Sequence, residues 1–183
     1  CPHGGLKKTA LAVRRLVTGN GPDGKSRADI DGLTPGNVDV GRGVFDELWR
    51  ATMPPPVTGD DDPGDVDVAV LQPDVNGVVW RCVTFRPWAE VEVELNANPE
   101  GLAAGGKFDD GGAMEQDEPG WHTTDTLDFG MVISGEIDLD LDDGVHHLKP
   151  GDAIVQRATR HAWRNRSDKP CVMSFVLISR DVG

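Results

Sequence analysis

The sequence has no apolar run near twenty residues and no leader-peptide pattern, so no part of it is expected to span a membrane. Positive charge is scarce: 18 Lys and Arg stand against 31 Asp and Glu, a net charge of −13 at pH 7. A phosphate backbone or an anionic bilayer surface would be repelled, so neither nucleic acid nor membrane is an expected partner. Cysteine is also sparse. Cys1, Cys82 and Cys171 form no C-x-x-C pair and no disulfide framework, and the last two sit in apolar runs as small buried hydrophobes would. A reducing, cytoplasmic setting fits that usage. No period of twenty to fifty residues recurs, which argues against a repeat architecture.

What is present is strand signal. The 183 residues suffice for one domain with a proper core. "ALAVRRLVTG" and "SRADID" flank the turn cluster "GNGPDGK". "VFDELWR" (Val44 to Arg50) fits a strand or one helical turn, and "PPPVTGDDDPGD" (Pro54 to Asp65) reads as a polar loop that cannot join a sheet. "VDVAVL" and "VVWRCVTF" are strand-like. "EVEVEL" (Glu90 to Leu95) alternates with period two and predicts a half-buried strand. A Gly-rich acidic segment from Asn96 to Gly120 follows; a loop of that length is functional or mobile, and here it is a candidate lid or, equally, an inert insertion. Then "EIDLDLDDG" alternates strictly into a hairpin turn, and "VHHLKPGD", "AIVQRA", "HAWRN" and "PCVMSFVLIS" continue as short strands. Strands at this turn-punctuated spacing predict an all-β sandwich or barrel.

Two stretches resemble the paired motifs of the cupin superfamily, whose members are small two-sheet β-barrels. In the first motif, G-x(5)-H-x-H-x(3,4)-E-x(6)-G, the positions of H, H, E and the last G hold His122, Thr124, Asp128 and Gly135. In the second, G-x(5)-P-x-G-x(2)-H-x(3)-N, Gly151, His161 and Asn165 match, with Arg157 at the Pro position, Ala158 at the small-residue position and a spacing one residue short. The resemblance implies one jelly-roll domain, a double-stranded β-helix, over 1–183, with extra N-terminal strands and loops in 1–65, the barrel in 66–183, and motifs at 120–135 and 151–165.

The resemblance also implies a metal site, with departures. Such sites use three His and one Glu, whereas here Thr replaces one His and Asp replaces the Glu. His122, Asp128 and His161 remain as candidate metal ligands. Two imidazoles and one carboxylate are the composition of the facial triad that holds non-haem Fe(II), and the same set takes Mn, Ni or Zn. Thr124, a poor ligand, is a candidate substrate contact together with Gln156 and Trp163, the last expected on the same face as His161. Asp128, His161 and Arg157 are the candidate catalytic residues. Arg157 and Arg160 are the cations nearest the second motif; they would orient a carboxylate or enolate, or simply neutralise neighbouring aspartates. Asp125 is a candidate base at the same strand entry. His146 and His147 are adjacent in a strand, so at most one faces inward, and His3 lies near the chain start.

Three functions follow from the resemblance. One is a divalent-metal enzyme acting on a small organic molecule in the barrel, of dioxygenase, isomerase, dehydratase or decarboxylase type. Another is a metal-free pocket doing acid–base chemistry, and the third is a non-catalytic binding or sensor module. A homodimer through the N-terminal strands is also expected, because a partner would cover their free edges.

Overall fold

In the computed structural model the described residues are 13–20, 26–35, 37–52, 62–97 and 108–180. Cys1, His3, most of the Pro54 to Asp65 loop and the middle of the 96–120 segment lie outside them.

The elements in chain order are β1 (Arg14–Asn20), β2 (Ser26–Leu33), β3 (Asn37–Asp39), β4 (Gly43–Thr52), β5 (Ala69–Val70), β6 (Gly77–Phe85), α1 (Trp88–Ala97), β7 (Phe108–Asp109), β8 (Thr126–Ser134), β9 (Ile137–Leu141), β10 (Gly144–Leu148), β11 (Ala153–Arg157), β12 (Ala162–Arg164) and β13 (Cys171–Ser179). The all-β, double-stranded β-helix expectation holds. A six-stranded sheet ordered β11-β8-β13-β6-β4-β3 faces a three-stranded sheet ordered β10-β9-β12, with β5-β7 and β1-β2 as separate two-stranded sheets. The six-stranded sheet is antiparallel throughout. It begins at β3, upstream of residue 66, so "VFDELWR" is a strand and part of the barrel wall.

The core lies between the two sheets. Val83, Val132, Met173 and Phe175 come from the large sheet and Ile137 from the small one, with Phe85 and Trp163 packed at its margin. Apolar residues at every second position of β13 put Cys171, Met173, Phe175 and Leu177 on one face.

The Glu90 to Leu95 segment corrects the sequence reading: it lies within α1. The period-two pattern is not used. Instead Val91, buried, and Leu95, four residues on, share a helical face toward the barrel, while Val93 is 67% exposed. Pro87 precedes the helix, where its missing N–H costs nothing. Its carbonyl accepts from the amides of Glu90 and Val91 at 3.0 and 3.3 Å. Glu, Leu and Ala are good helix formers, and Arg86 anchors the helix through Glu94 at 2.5 and 2.8 Å.

Gly135, the last glycine of the first motif, has φ +75° and sits against the chain at β13: a Cβ there would lie 2.6 Å from the Pro170 carbonyl oxygen and 2.8 Å from Cys171 Cα. Ala158, at the small-residue position of the second motif, also adopts a left-handed conformation, φ +50°, with a Cβ that disfavours it. Equilibrium urea unfolding should therefore move in opposite directions at the two sites. Ala158→Gly should raise the unfolding free energy by up to about 1 kcal/mol, and Gly135→Ala should lower it by about 1–3 kcal/mol.

Candidate functional site

Residues 122 to 130 alternate strictly: His122, Thr124, Thr126, Asp128 and Gly130 are buried, while Thr123, Asp125 and Phe129 are exposed. This strand entry therefore points its polar residues into the barrel. Asp125 faces outward and is not beside Asp128. His122 is locked to His161 by two reciprocal backbone hydrogen bonds, each 3.0 Å. That is a hydrogen-bonded antiparallel pair, whose side chains lie on one face. The two imidazoles accordingly sit 4.2 Å apart, centroid to centroid.

Each ring is held by its Nδ1. That of His122 donates to the Gly120 carbonyl at 2.9 Å, and that of His161 to the Thr159 carbonyl at 2.9 Å. A carbonyl only accepts, so the neutral tautomer carries its proton on Nδ1 and keeps a lone pair on Nε2. Both rings stay neutral. Burial lowers the pKa of His161 to about 3, and His122 repels its protonated form further. Burial also lowers that of His122; the charges of Arg42 and Arg164 act in the same direction, against the Gly120 carbonyl and Glu115.

Both histidines line a cavity of about 1150 Å³. Phe45, Phe85, Phe175 and Trp163 supply apolar walls, Trp88 and Leu95 of α1 border it, and Phe108 to Gly120 close one side. The described end of the long acidic segment is thus part of the site. Trp163 lies on the His161 side, its ring edge-on at 6.1 Å, as the sequence pattern predicted. Thr124 lines the cavity and accepts a hydrogen bond from the Thr126 hydroxyl at 2.9 Å.

Asp128 lines the same cavity but belongs to another group of charges. Its neighbour is Arg81, which is buried and paired with the equally buried Glu47 at 3.1 Å. The Oδ1 of Asp128 is buried without a hydrogen-bond partner. Burial raises its pKa to about 6, only partly offset by Thr126 and Arg81. Among the described residues, no group of three or more His, Cys, Asp or Glu is placed to hold a metal ion. The expected set of His122, Asp128 and His161 is therefore brought together only as far as the two histidines.

Two further expectations are corrected, and for Arg160 one of the two offered roles is the one seen. Arg157 is exposed at the end of β11 and does not line the cavity. Gln156 is buried, but its amide donates to the Thr159 carbonyl and hydroxyl and also stays outside the cavity. Arg160 lies over Trp121 and binds Glu115, Glu118 and Asp142, which makes it a neutraliser of carboxylates. His146 and His147 are both exposed, hydrogen-bonded to Asp143 and Asp138. The cations that do line the cavity, Arg42, Arg81, Arg86 and Arg164, carried no signal near either histidine except Arg164, three residues after His161.

Residues 111–178 match a family model described as a cupin domain. This segment is similar to a cupin domain. The chain is 55% identical over 51 residues to the Oryzines biosynthesis cluster protein J of Aspergillus oryzae, covering 27% of this chain and 28% of the relative. It is 47% identical over 61 residues to the Cupin-domain-containing oxidoreductase virC of Hypocrea virens, covering 31% of each, and 43% identical over 61 residues to fogC of Aspergillus ruber, described in the same words, covering 31% and 30%. The chain thus spans about three tenths of the length of the curated relatives it matches. Among solved structures it resembles a putative ethanolamine utilization protein Q from Salmonella typhimurium LT2, at TM-score 0.43 and 9% identity over 92% of this chain and 98% of the other. Among the described residues no helix is long and apolar enough to cross a membrane.

The Asp128 environment has a sign that unfolding can read. Its folded pKa of about 6 lies above the ordinary 3.8. Between those values the folded chain keeps a proton that the unfolded chain has lost, so this group costs stability as pH rises from about 4 to 6. His161 works the other way: the unfolded imidazole takes a proton below about 6.5 and the folded one does not, so acidification destabilises. Both the parent and Asp128→Asn contain His161, so comparing them isolates the carboxyl. Urea unfolding at pH 4.5 and pH 7.5 should show the variant gaining on the parent at the higher pH, by on the order of 1–3 kcal/mol; an equal difference at the two pH values would mean that Asp128 titrates normally.

Proposed function

We propose that the chain is a cupin-domain enzyme of small-molecule metabolism, with the facing His122 and His161 as its reacting centre. The observation that carries this reading is the pair of neutral imidazoles, each anchored through Nδ1 and each lining a large, mostly apolar cavity. Such cavities are where small organic ligands bind, and a buried, strongly perturbed pair of titratable groups inside one marks a reactive point.

The chemistry best supported is proton transfer. Two rings 4.2 Å apart do not both accept a proton, so they titrate as a pair that takes up one. His122 is the acceptor in this reading, because the Glu115 carboxylate favours its protonated form, while the neighbouring charge that acts on His161 disfavours protonation. A proton taken from a carbon or hydroxyl of the substrate goes to Nε2 of His122 and returns from there to the product, which is the work of an isomerase or dehydratase. Asp128, protonated below about pH 6, would donate a hydrogen bond to a substrate oxygen.

A metal centre needs a third protein ligand in the usual catalytic arrangements, and the donor set here is two imidazoles with Asp128 held at Arg81. The residues present do not fit the expected triad. One observation favours a second reading nonetheless: a carbonyl on each Nδ1 is the support that metal-binding histidines usually have. In that reading His122 and His161 would hold an Fe, Mn, Ni or Zn ion; Fe, Mn or Ni would supply redox chemistry of the kind that names the relatives virC and fogC, and Zn only a Lewis acid.

The test combines metal content with turnover. Protein purified without added metal is analysed by elemental mass spectrometry, then assayed against carbonyl and hydroxy-carbonyl compounds for mass change and solvent deuterium uptake. The proton-transfer reading expects activity that survives chelator and falls about 10²–10⁴-fold in His122→Ala. About one metal ion per chain, lost in both His122→Ala and His161→Ala along with activity, would establish the second reading instead. Turnover unaffected by either substitution would remove the histidine pair from the chemistry altogether.

The reading includes a homodimer. Among the described residues the hairpin β1-β2 forms its own sheet, joined to no other strand, and a lone two-stranded hairpin is marginal in water. A second copy would cover it. Light scattering at tens of micromolar should give twice the chain mass, and removal of residues up to Asp31 should lower it; a monomer mass for the parent refutes the dimer.

A further inference from the structure

Of the four arginines that line the cavity, two are already committed. Arg81 is paired with Glu47 at 3.1 Å and donates to the Val70 carbonyl at 2.7 Å. Arg86 donates to the Gly41 carbonyl at 2.6 Å and grips Glu94. Arg42 and Arg164 lack such close carboxylate pairs, although buried nitrogens without a hydrogen-bond partner also occur at Nε of Arg81 and Nε of Arg86. The Nη1 of each is buried and has no hydrogen-bond partner. Arg42 stands in the turn between β3 and β4, and among the described residues it makes no ion pair; Asp110 is the opposite charge that it feels. Arg164 lies flat over Trp88 at 3.9 Å, donates through Nη2 to the Pro119 carbonyl, and approaches Asp140 only to 4.0 Å.

The two guanidinium groups lie near each other and near the reacting centre. The charge of Arg42 disfavours protonation of both Arg164 and His122, and the charge of Arg164 also acts on His122. A buried donor without an acceptor is costly, and two like charges lining one cavity are costlier. Both costs are relieved by an anion seated between them.

We propose that Arg42 and Arg164 form a carboxylate-binding subsite beside His122, so that the molecule the cavity takes is an organic acid. The inference rests on the functional reading above, whose substrate class it names. A guanidinium offers parallel N–H donors that match the two oxygens of a carboxylate. Asp110, which itself lines the cavity, and Asp140 offset part of the charge of the two arginines, which suits a singly charged carboxylate better than a doubly charged phosphate. The body of the acid then lies along Phe85, Phe175 and Trp163, so an unsaturated or ring-bearing acid fits these walls.

Binding is measured without turnover, so the subsite and the catalytic reading fail separately. Benzoate is the probe, benzamide its neutral counterpart and inorganic phosphate the rival anion, each titrated calorimetrically and by tryptophan fluorescence. The expected result is saturable benzoate binding, at least tenfold weaker binding of benzamide and of phosphate, and a loss of at least tenfold for benzoate in Arg42→Gln. Arg42 bears no ion pair among the described residues, so this variant should fold; should its circular dichroism show otherwise, Arg164→Lys, which keeps the charge and loses the paired donors, is read for the same loss. Equal binding of benzoate and benzamide, preference for phosphate, or unchanged benzoate affinity in the folded variants overturns the proposal. Benzoate binding that obeys these expectations in a protein whose histidines prove inert would uphold the subsite and sink the proton-transfer reading.

Discussion

The site depends on two hydrogen bonds, the reciprocal pair between the backbones of His122 and His161. They tie the entry of β8 to the entry of β12, one strand from each of the barrel's two sheets. An antiparallel pair of this kind leaves no freedom about sides: the two side chains emerge together. Close approach of the rings, their burial and their mutual repulsion all follow from that backbone geometry rather than from any attraction between imidazoles. The turn carbonyls of Gly120 and Thr159 then fix which nitrogen carries the proton.

A second constraint comes from the wall. Glu47 on β4 and Arg81 on β6 are buried together, and each would be untenable alone. Arg81 reaches the Val70 carbonyl on one side and the field of Asp128 on the other. Asp128 is thereby part of a charge arrangement belonging to the sheet, while the histidines belong to the loops at its end. The carboxyl that motif spacing joins to the histidines is drawn to a different partner, one contributed by a strand that carries no motif.

What the sequence made legible was local and periodic. The "DDG" hairpin of β9 and β10 read correctly, because a turn of that chemistry ends one alternating strand and starts the next. Alternation without such a turn failed at Glu90 to Leu95. Period two there is carried by glutamates that all remain at the surface, and the segment follows Pro87, which starts a helix as readily as it ends a strand. Cation placement failed for another reason. Arg157 and Arg160 are near His161 in sequence, yet one points to solvent and the other is taken by Glu115, Glu118 and Asp142. The cavity is walled by β4, β6 and the β3–β4 turn, so Arg42, Arg81 and Arg86 come from positions far from either motif, and only Arg164 lies within one.

The chain is strongly acidic, yet the cations in its cavity sit beside two neutral imidazoles, and the two facts bear on one another. Asp138, Asp140, Asp142, Glu115 and Glu118 engage Arg160 and Arg166. Asp110 and Asp140 offset part of the charge of Arg42 and Arg164 in the cavity, and the charge that is left helps hold His122 unprotonated. A neutral imidazole is the form able to accept a proton. In the proposed subsite, an anion placed between the two arginines cancels part of the field that lowers the His122 pKa, so the imidazole becomes a stronger base when the acid is in place. The cations that would hold the substrate would then also keep the base empty until it arrives, and electrostatics alone would couple binding to the readiness of the proton acceptor.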